Sequence, residues 1–236
     1  MKLLFRLGRG LARFSFNKLG RVEVIGRENV PPDGPLIVVA NHLSFSDPPL
    51  LVCGIDRPVY FIAKRELFSN PVSGFLMRGF HVSPFDRSSS RVEALRLMLR
   101  MLAQNRVVVV FPEGHRSPDH TMKEGMLGVA YLALKSRATI LPVGLSGTEK
   151  ISAWRMTVPL CRMRINIGRP FTPPVLEGAS RQDATQSALD LIMNRIAALL
   201  PEKYRGVYAT TADQGAWMAA EVASQASEAG HGTLAP

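Results

Sequence analysis

PLIVVANHLSFSDPP, residues 35–49, joins an unbroken apolar run to a polar loop that closes on two prolines. Residues 36–40 carry no polar side chain, which suits a strand covered on both faces better than one half in water. The mostly apolar runs at residues 59–63, 107–111 and 139–143 read the same way, and MRINIG within residues 162–168 alternates as a further strand. Helical patterns lie between them. Ser90 and Glu93 form a capping box ahead of Val92, Leu95, Leu99 and Leu102, in a helix that ends near Asn105. Residues 124–136 and 183–200 are further helices, the last with Ser180 as its N-cap and Pro201 as its stop. Strands alternating with helices predict an α/β domain built on a mixed, mostly parallel sheet flanked by helices.

At 236 residues the chain is long enough to bury a substantial core and fits one large domain more easily than two. Cys53 and Cys161 are its only cysteines, too few and too far apart for a disulfide framework or a zinc cage, so both read as reduced thiols. No charge-free apolar run reaches the roughly 18 residues needed to cross a bilayer. The net charge is +10. Lys and Arg end at Arg205, and Asp213, Glu221 and Glu228 follow, so the positive balance lies wholly within residues 1–205. Such a body calls for an anionic partner: nucleic acid, a membrane surface or a phosphorylated substrate. The absence of a recognition motif or an aromatic stacking platform argues against nucleic acid.

The two ends differ from the middle. At 100° per residue, Leu3, Leu4, Leu7, Leu11 and Phe14 share one face and Lys2, Arg6, Arg9 and Arg13 the opposite one, so residues 1–20 read as a basic amphipathic segment suited to an anionic lipid interface. A helix packed on its own domain, or an organellar transit segment, shares that pattern. Beyond about residue 209 the composition shifts to Ala, Ser, Gly and Gln, which can bury little, and residues 209–236 read as a mobile tail. Residues 21–208 are then the folded domain.

Two polar clusters follow strands, residues 41–47 and 111–117, at the carboxyl ends where open α/β sheets build ligand sites. On a continuous helix, His42 and Asp47 would point about 140° apart. Pro48 and Pro49 supply a break: Asp47 becomes a helix N-cap with His42 folded back above it. An aspartate accepting the Nδ1 hydrogen would leave Nε2 free to take a proton from a substrate hydroxyl. The spacing equally allows a plain cap and a histidine that fills a loop. In the second cluster Arg116 offers a planar fork for phosphate, Gly114 permits close backbone approach, and Glu113 could orient Arg116 or accept a substrate hydroxyl. Glu113, His115, Asp119 and His120 match no metal-site spacing, and no nucleotide loop or serine nucleophile elbow is present.

Taken in order, N-H-x4-D, AKREL, VSPFDR, FPEGHRS and ILPVGLSGT resemble the lysophospholipid and glycerol-phosphate acyltransferase family over about residues 22–206. The resemblance implies the glycerol-3-phosphate acyltransferase-like fold for residues 21–208 and an N-terminal membrane-associating helix. It makes His42 and Asp47 the catalytic pair, with no acyl-enzyme intermediate. The implied reaction moves a fatty acyl group from coenzyme A or acyl carrier protein, as co-substrate, to a lysophospholipid acceptor. That acceptor is foremost 1-acylglycerol-3-phosphate, in phospholipid biosynthesis, at the cytoplasmic face of the cell membrane and without metal or other cofactor. By the same resemblance Glu113, Gly114 and Arg116 bind the acceptor's phosphate and glycerol, Lys64 and Arg87 match basic positions serving that phosphate, and Pro142 shapes the site. His115 stands where the family's usual FPEGTRS has Thr, a departure that keeps another lysolipid or an amino-acid lipid open as acceptor; a catalytically silent membrane-binding protein of the same fold is the alternative from a different class.

Overall fold

The computed structural model describes residues 10, 13–71, 74, 75, 77, 80–85, 91–151, 159–174, 178 and 180–209. Most of the expected amphipathic segment, Arg87, the capping Ser90 and the tail from residue 210 lie outside the described residues, as does the side chain of Lys64.

Seven strands form one sheet: β1 (Val22–Ile25), β2 (Leu36–Ala40), β3 (Val59–Lys64), β4 (Val82–Phe85), β5 (Val107–Val110), β6 (Thr139–Ser146) and β7 (Met163–Ile167). Their order is β1-β7-β6-β2-β5-β3-β4. β6, β2, β5, β3 and β4 run parallel, β7 lies antiparallel to β6, and β1 follows β7. The sheet is therefore mixed and mostly parallel, as the alternation of strands and helices predicts.

Among the described residues, four α-helices with full bounds cover it: α1 (Asp47–Gly54), α2 (Arg91–Ala103), α3 (Leu127–Ser136) and α4 (Arg181–Ala198). In β2 every residue is fully buried. Ile37 and Val39 pack with α2, α3 and α4, whereas Leu36, Val38 and Ala40 pack with α1 and Phe16. This two-sided cover explains the unbroken apolar run, because each side chain of that size contributes about 1.5–3 kcal/mol when removed from water. Phe16, in the π-helical turn Ser15–Leu19, belongs to the core, and Arg13 bonds Asp56 and the Cys53 carbonyl, so the domain's packing begins ahead of β1.

Most expected elements stand within a few residues of their expected bounds. α4 begins as its capping signal requires, with the Ser180 hydroxyl accepting from the Asp183 N–H at 3.1 Å. α3 starts at Leu127, three residues later than expected, after an extended Met126 at ψ 136° whose N–H donates to the Pro112 carbonyl. β1 and β4 are additional strands at the two edges of the sheet.

Candidate active site

The site forms where three neighbouring strands end. β5, β2 and β6 are adjacent and parallel, so the loops after Val110, Ala40 and Ser146 leave from the same edge. Asn41 fastens two of them: its Nδ2 donates to the Leu145 carbonyl at 3.0 Å and its Oδ1 accepts from the Leu145 N–H at 2.8 Å.

Ser46 precedes α1 as its N-cap without a side-chain capping bond, so the cap falls one position earlier than expected and Asp47 is the first helical residue. The cause is local. Pro48 and Pro49 have no N–H to offer a capping carboxylate, so Asp47 finds its donors upstream. Its Oδ2 accepts from the Leu43 and Ser44 N–H groups, each at 2.7 Å, and lies 2.8 Å from His42 Nδ1. Its Oδ1 accepts from the Thr148 hydroxyl at 2.5 Å. Asp47 and Thr148 are both fully buried. A carboxylate only accepts, so Nδ1 is the donating nitrogen and Nε2 is the accepting one.

The His42 ring stacks on Phe111, with centroids 4.0 Å apart and planes 16° apart, and its side chain keeps 17% exposure. Packing on one face and a fixed bond at one nitrogen leave the imidazole little rotational freedom. The loop after β5 is tied to the loop after β2 twice. The Ser117 N–H donates to the His42 carbonyl, and the His42 N–H donates to Glu113 Oε1, both at 2.9 Å.

Glu113 is buried, and its Oε2 accepts from the Lys123 N–H at 2.9 Å. Both oxygens thus hold backbone, and the carboxylate braces the site instead of turning to Arg116. Burial pushes its pKa above the ordinary value, opposed by the two backbone bonds. Gly114 has φ +72°, the left-handed region that favours glycine, whereas a Cβ there would meet only the flexible end of the exposed Met126 side chain, so conformation and not space sets the requirement. Arg116 is exposed, its guanidinium carbon 3.6 Å from the centroid of the Phe45 ring, beside exposed His115. Lys64 ends β3 opposite Phe85, with the backbone at the same edge as His42.

Thr148, Asn41 and Phe111 are site residues that the sequence reading did not single out. Thr148 is 101 positions from Asp47, and its one signal is the SGT that ends ILPVGLSGT. Gly147, at φ +89° and packed against the Arg162 carbonyl, makes the turn that carries Thr148 under Asp47.

The sequence and the fold match known proteins. A family model described as Acyltransferase matches residues 21–146, more than half of the chain. A 1-acyl-sn-glycerol-3-phosphate acyltransferase of Chlamydomonas reinhardtii is 38% identical over 135 residues, covering 56% of this chain and 40% of that protein. One from Bacillus subtilis is 28% identical over 154 residues, 64% of this chain and 74% of that protein. The crystal structure of the 1-acyl-sn-glycerophosphate (LPA) acyltransferase from Thermotoga maritima superposes with a TM-score of 0.65 at 29% identity, covering 80% of this chain and 76% of that one. The chain thus spans about two-fifths of the algal relative and about three-quarters of the bacterial ones. By the extent of the family match and the agreement in fold, this protein belongs to the acyltransferase family.

Proposed function

We propose that the protein acylates the free hydroxyl of a lysophospholipid, foremost 1-acylglycerol-3-phosphate, giving phosphatidic acid, with a fatty acyl thioester of coenzyme A or acyl carrier protein as donor. The observation that carries this reading is the 2.8 Å contact between His42 Nδ1 and an Asp47 carboxylate held by three further donors. His42 Nε2 takes the hydroxyl proton as the oxygen attacks the thioester carbonyl. Collapse of the tetrahedral adduct breaks the carbon–sulfur bond, and the departing thiolate receives that proton from His42. Asp47 keeps Nδ1 pointed away from the substrate and stabilises the imidazolium in between. Arg116 meets the acceptor's phosphate with its planar fork, at the loop that Glu113 and Gly114 shape, and Lys64 and Arg87 add positive charge for the same phosphate.

Work at a lipid surface accords with the net charge of +10. No helix among the described residues is long and apolar enough to cross a membrane. The proposed attachment is peripheral, at the cytoplasmic face, through residues 1–20.

The reading is tested with mixed micelles of several lysolipids and one acyl thioester. Lysophosphatidic acid should be turned over with the highest kcat/KM, and Arg116→Gln should raise its KM by about 10- to 100-fold, the worth of a charged hydrogen-bonded pair. No turnover of lysophosphatidic acid, with transfer to another lysolipid, would reassign the acceptor. No transfer to any acceptor would overturn the enzyme reading.

A further inference from the structure

α2 carries Glu93, Arg96, Leu97 and Arg100 on one face, at spacings of three, four and seven residues. That face borders an open cleft of about 300 Å³ that Arg65, Pro84 and Phe85 also line. Among the described residues that line it, three are arginines and one, Glu93, is acidic. Arg96 and Arg100 stand at i and i+4, a like-charge spacing that weakens a helix by a few tenths of a kcal/mol in isolation. Arg65, Arg96 and Arg100 share this lining with Phe85 and Leu97, a positive surplus over Glu93 that suits an anion, and forked guanidinium donors favour phosphate.

The cleft lies on the reacting edge of the sheet. Val59 of β3, Val107 of β5 and Leu36 of β2 are in register, which places Arg65 level with His42 by count along the strands. β3 is two strands from β2, roughly 10 Å, and β4 is three, roughly 14 Å. The acceptor's phosphate is assigned above to Arg116, on the loop beside His42, so Arg65, Arg96 and Arg100 are left to meet a different phosphate. Coenzyme A carries its phosphates at the far end of the long pantetheine arm. The geometry points to a second phosphate site, in which Arg65, Arg96 and Arg100 hold the nucleotide phosphates of an acyl-coenzyme A donor. This rests on the transfer reaction proposed above and names its donor.

The test uses the full chain and the double variant Arg96→Gln/Arg100→Gln, two exposed changes outside the site around His42. Coenzyme A titrated by calorimetry should bind the wild type and bind the variant about tenfold more weakly or worse. In steady-state transfer the variant's KM for acyl-coenzyme A should rise equally, with kcat unchanged and with KM unchanged for the acyl-pantetheine thioester, which lacks the nucleotide. Equal coenzyme A affinity in the two proteins, or an equal KM rise for both thioesters, would overturn the assignment. A variant that loses binding to phosphatidylglycerol vesicles while keeping coenzyme A affinity would give the cleft to a lipid headgroup and overturn it too. The calorimetry needs no turnover. A wild type that binds coenzyme A through these arginines yet acylates no lysolipid would keep the cleft and sink the transfer reading.

Discussion

Asp47 has no exposed surface, and its two oxygens meet four donors: His42 Nδ1, the Leu43 and Ser44 N–H groups, and the Thr148 hydroxyl. Among the described residues, Thr148 is the one donor contributed by β6's end of the site, and it alone holds Oδ1. Thr148→Val keeps the shape and removes that donor, leaving a buried carboxylate oxygen unpaired at a cost of about 1–3 kcal/mol. The expected outcome is lower stability in urea unfolding together with kcat down by about tenfold and little change in KM, because a looser Asp47 misaims His42. Thr148→Ser should recover most of kcat. A serine variant as slow as the valine one would mean that the methyl group's packing matters and the hydroxyl does not. Sequence spacing left the His42–Asp47 contact open, since H-x4-D also describes a cap beside a loop histidine. Thr148 was harder to find, because its partner is distant in sequence and SGT reads as an ordinary turn.

At the scale of elements, the loops after β2 and β5 are held together by Glu113, whose oxygens accept from His42 and Lys123. Burial raises its folded pKa above the ordinary 4.5. Its contribution to stability is therefore complete below pH 4.5 and is lost as pH rises through the raised folded value, since the unfolded chain gives up this proton first. Wild-type unfolding free energy, measured by urea denaturation from about pH 4 upward, should decline across that window relative to Glu113→Gln, which cannot titrate. Parallel profiles would show that Glu113 is not the titrating brace. The same loops explain which elements were legible. β2 and α4 announced themselves through an unbroken apolar run and an N-cap. β1 alternates between exposed and half-buried residues, and β4 contains Pro84; both sit at sheet edges, where half-exposure and a missing N–H are tolerated but blur the strand pattern. Before α3 the chain is extended at Met126, and the Lys123 and Met126 N–H groups tie that stretch to Glu113 and Pro112, tertiary contacts that helical periodicity does not record.

For the whole molecule, the chain's positive balance and its basic amphipathic opening are proposed to bring one edge of the sheet to an anionic bilayer. Deleting residues 1–12 removes Lys2, Arg6 and Arg9 but leaves Arg13 on Asp56 and Phe16 in the core. Binding to phosphatidylglycerol vesicles should weaken by about tenfold or more, at roughly 1 kcal/mol per lost cation, while the melting temperature holds. Vesicle binding that survives the deletion unchanged would move the docking surface to the folded domain. Class and layer order were readable because two-sided burial writes itself into strand composition. The convergence of three loops was only partly so, since it depends on β5 and β6 flanking β2.

The central claim is that one imidazole, aimed by Asp47, removes the acceptor's proton. It is tested most directly by kcat for acyl transfer to lysophosphatidic acid in His42→Ala, with circular dichroism and melting temperature taken on the same preparation. The account predicts a folded protein with kcat lower by about 10²- to 10⁴-fold. A folded His42→Ala variant that turns over at the wild-type rate would contradict it.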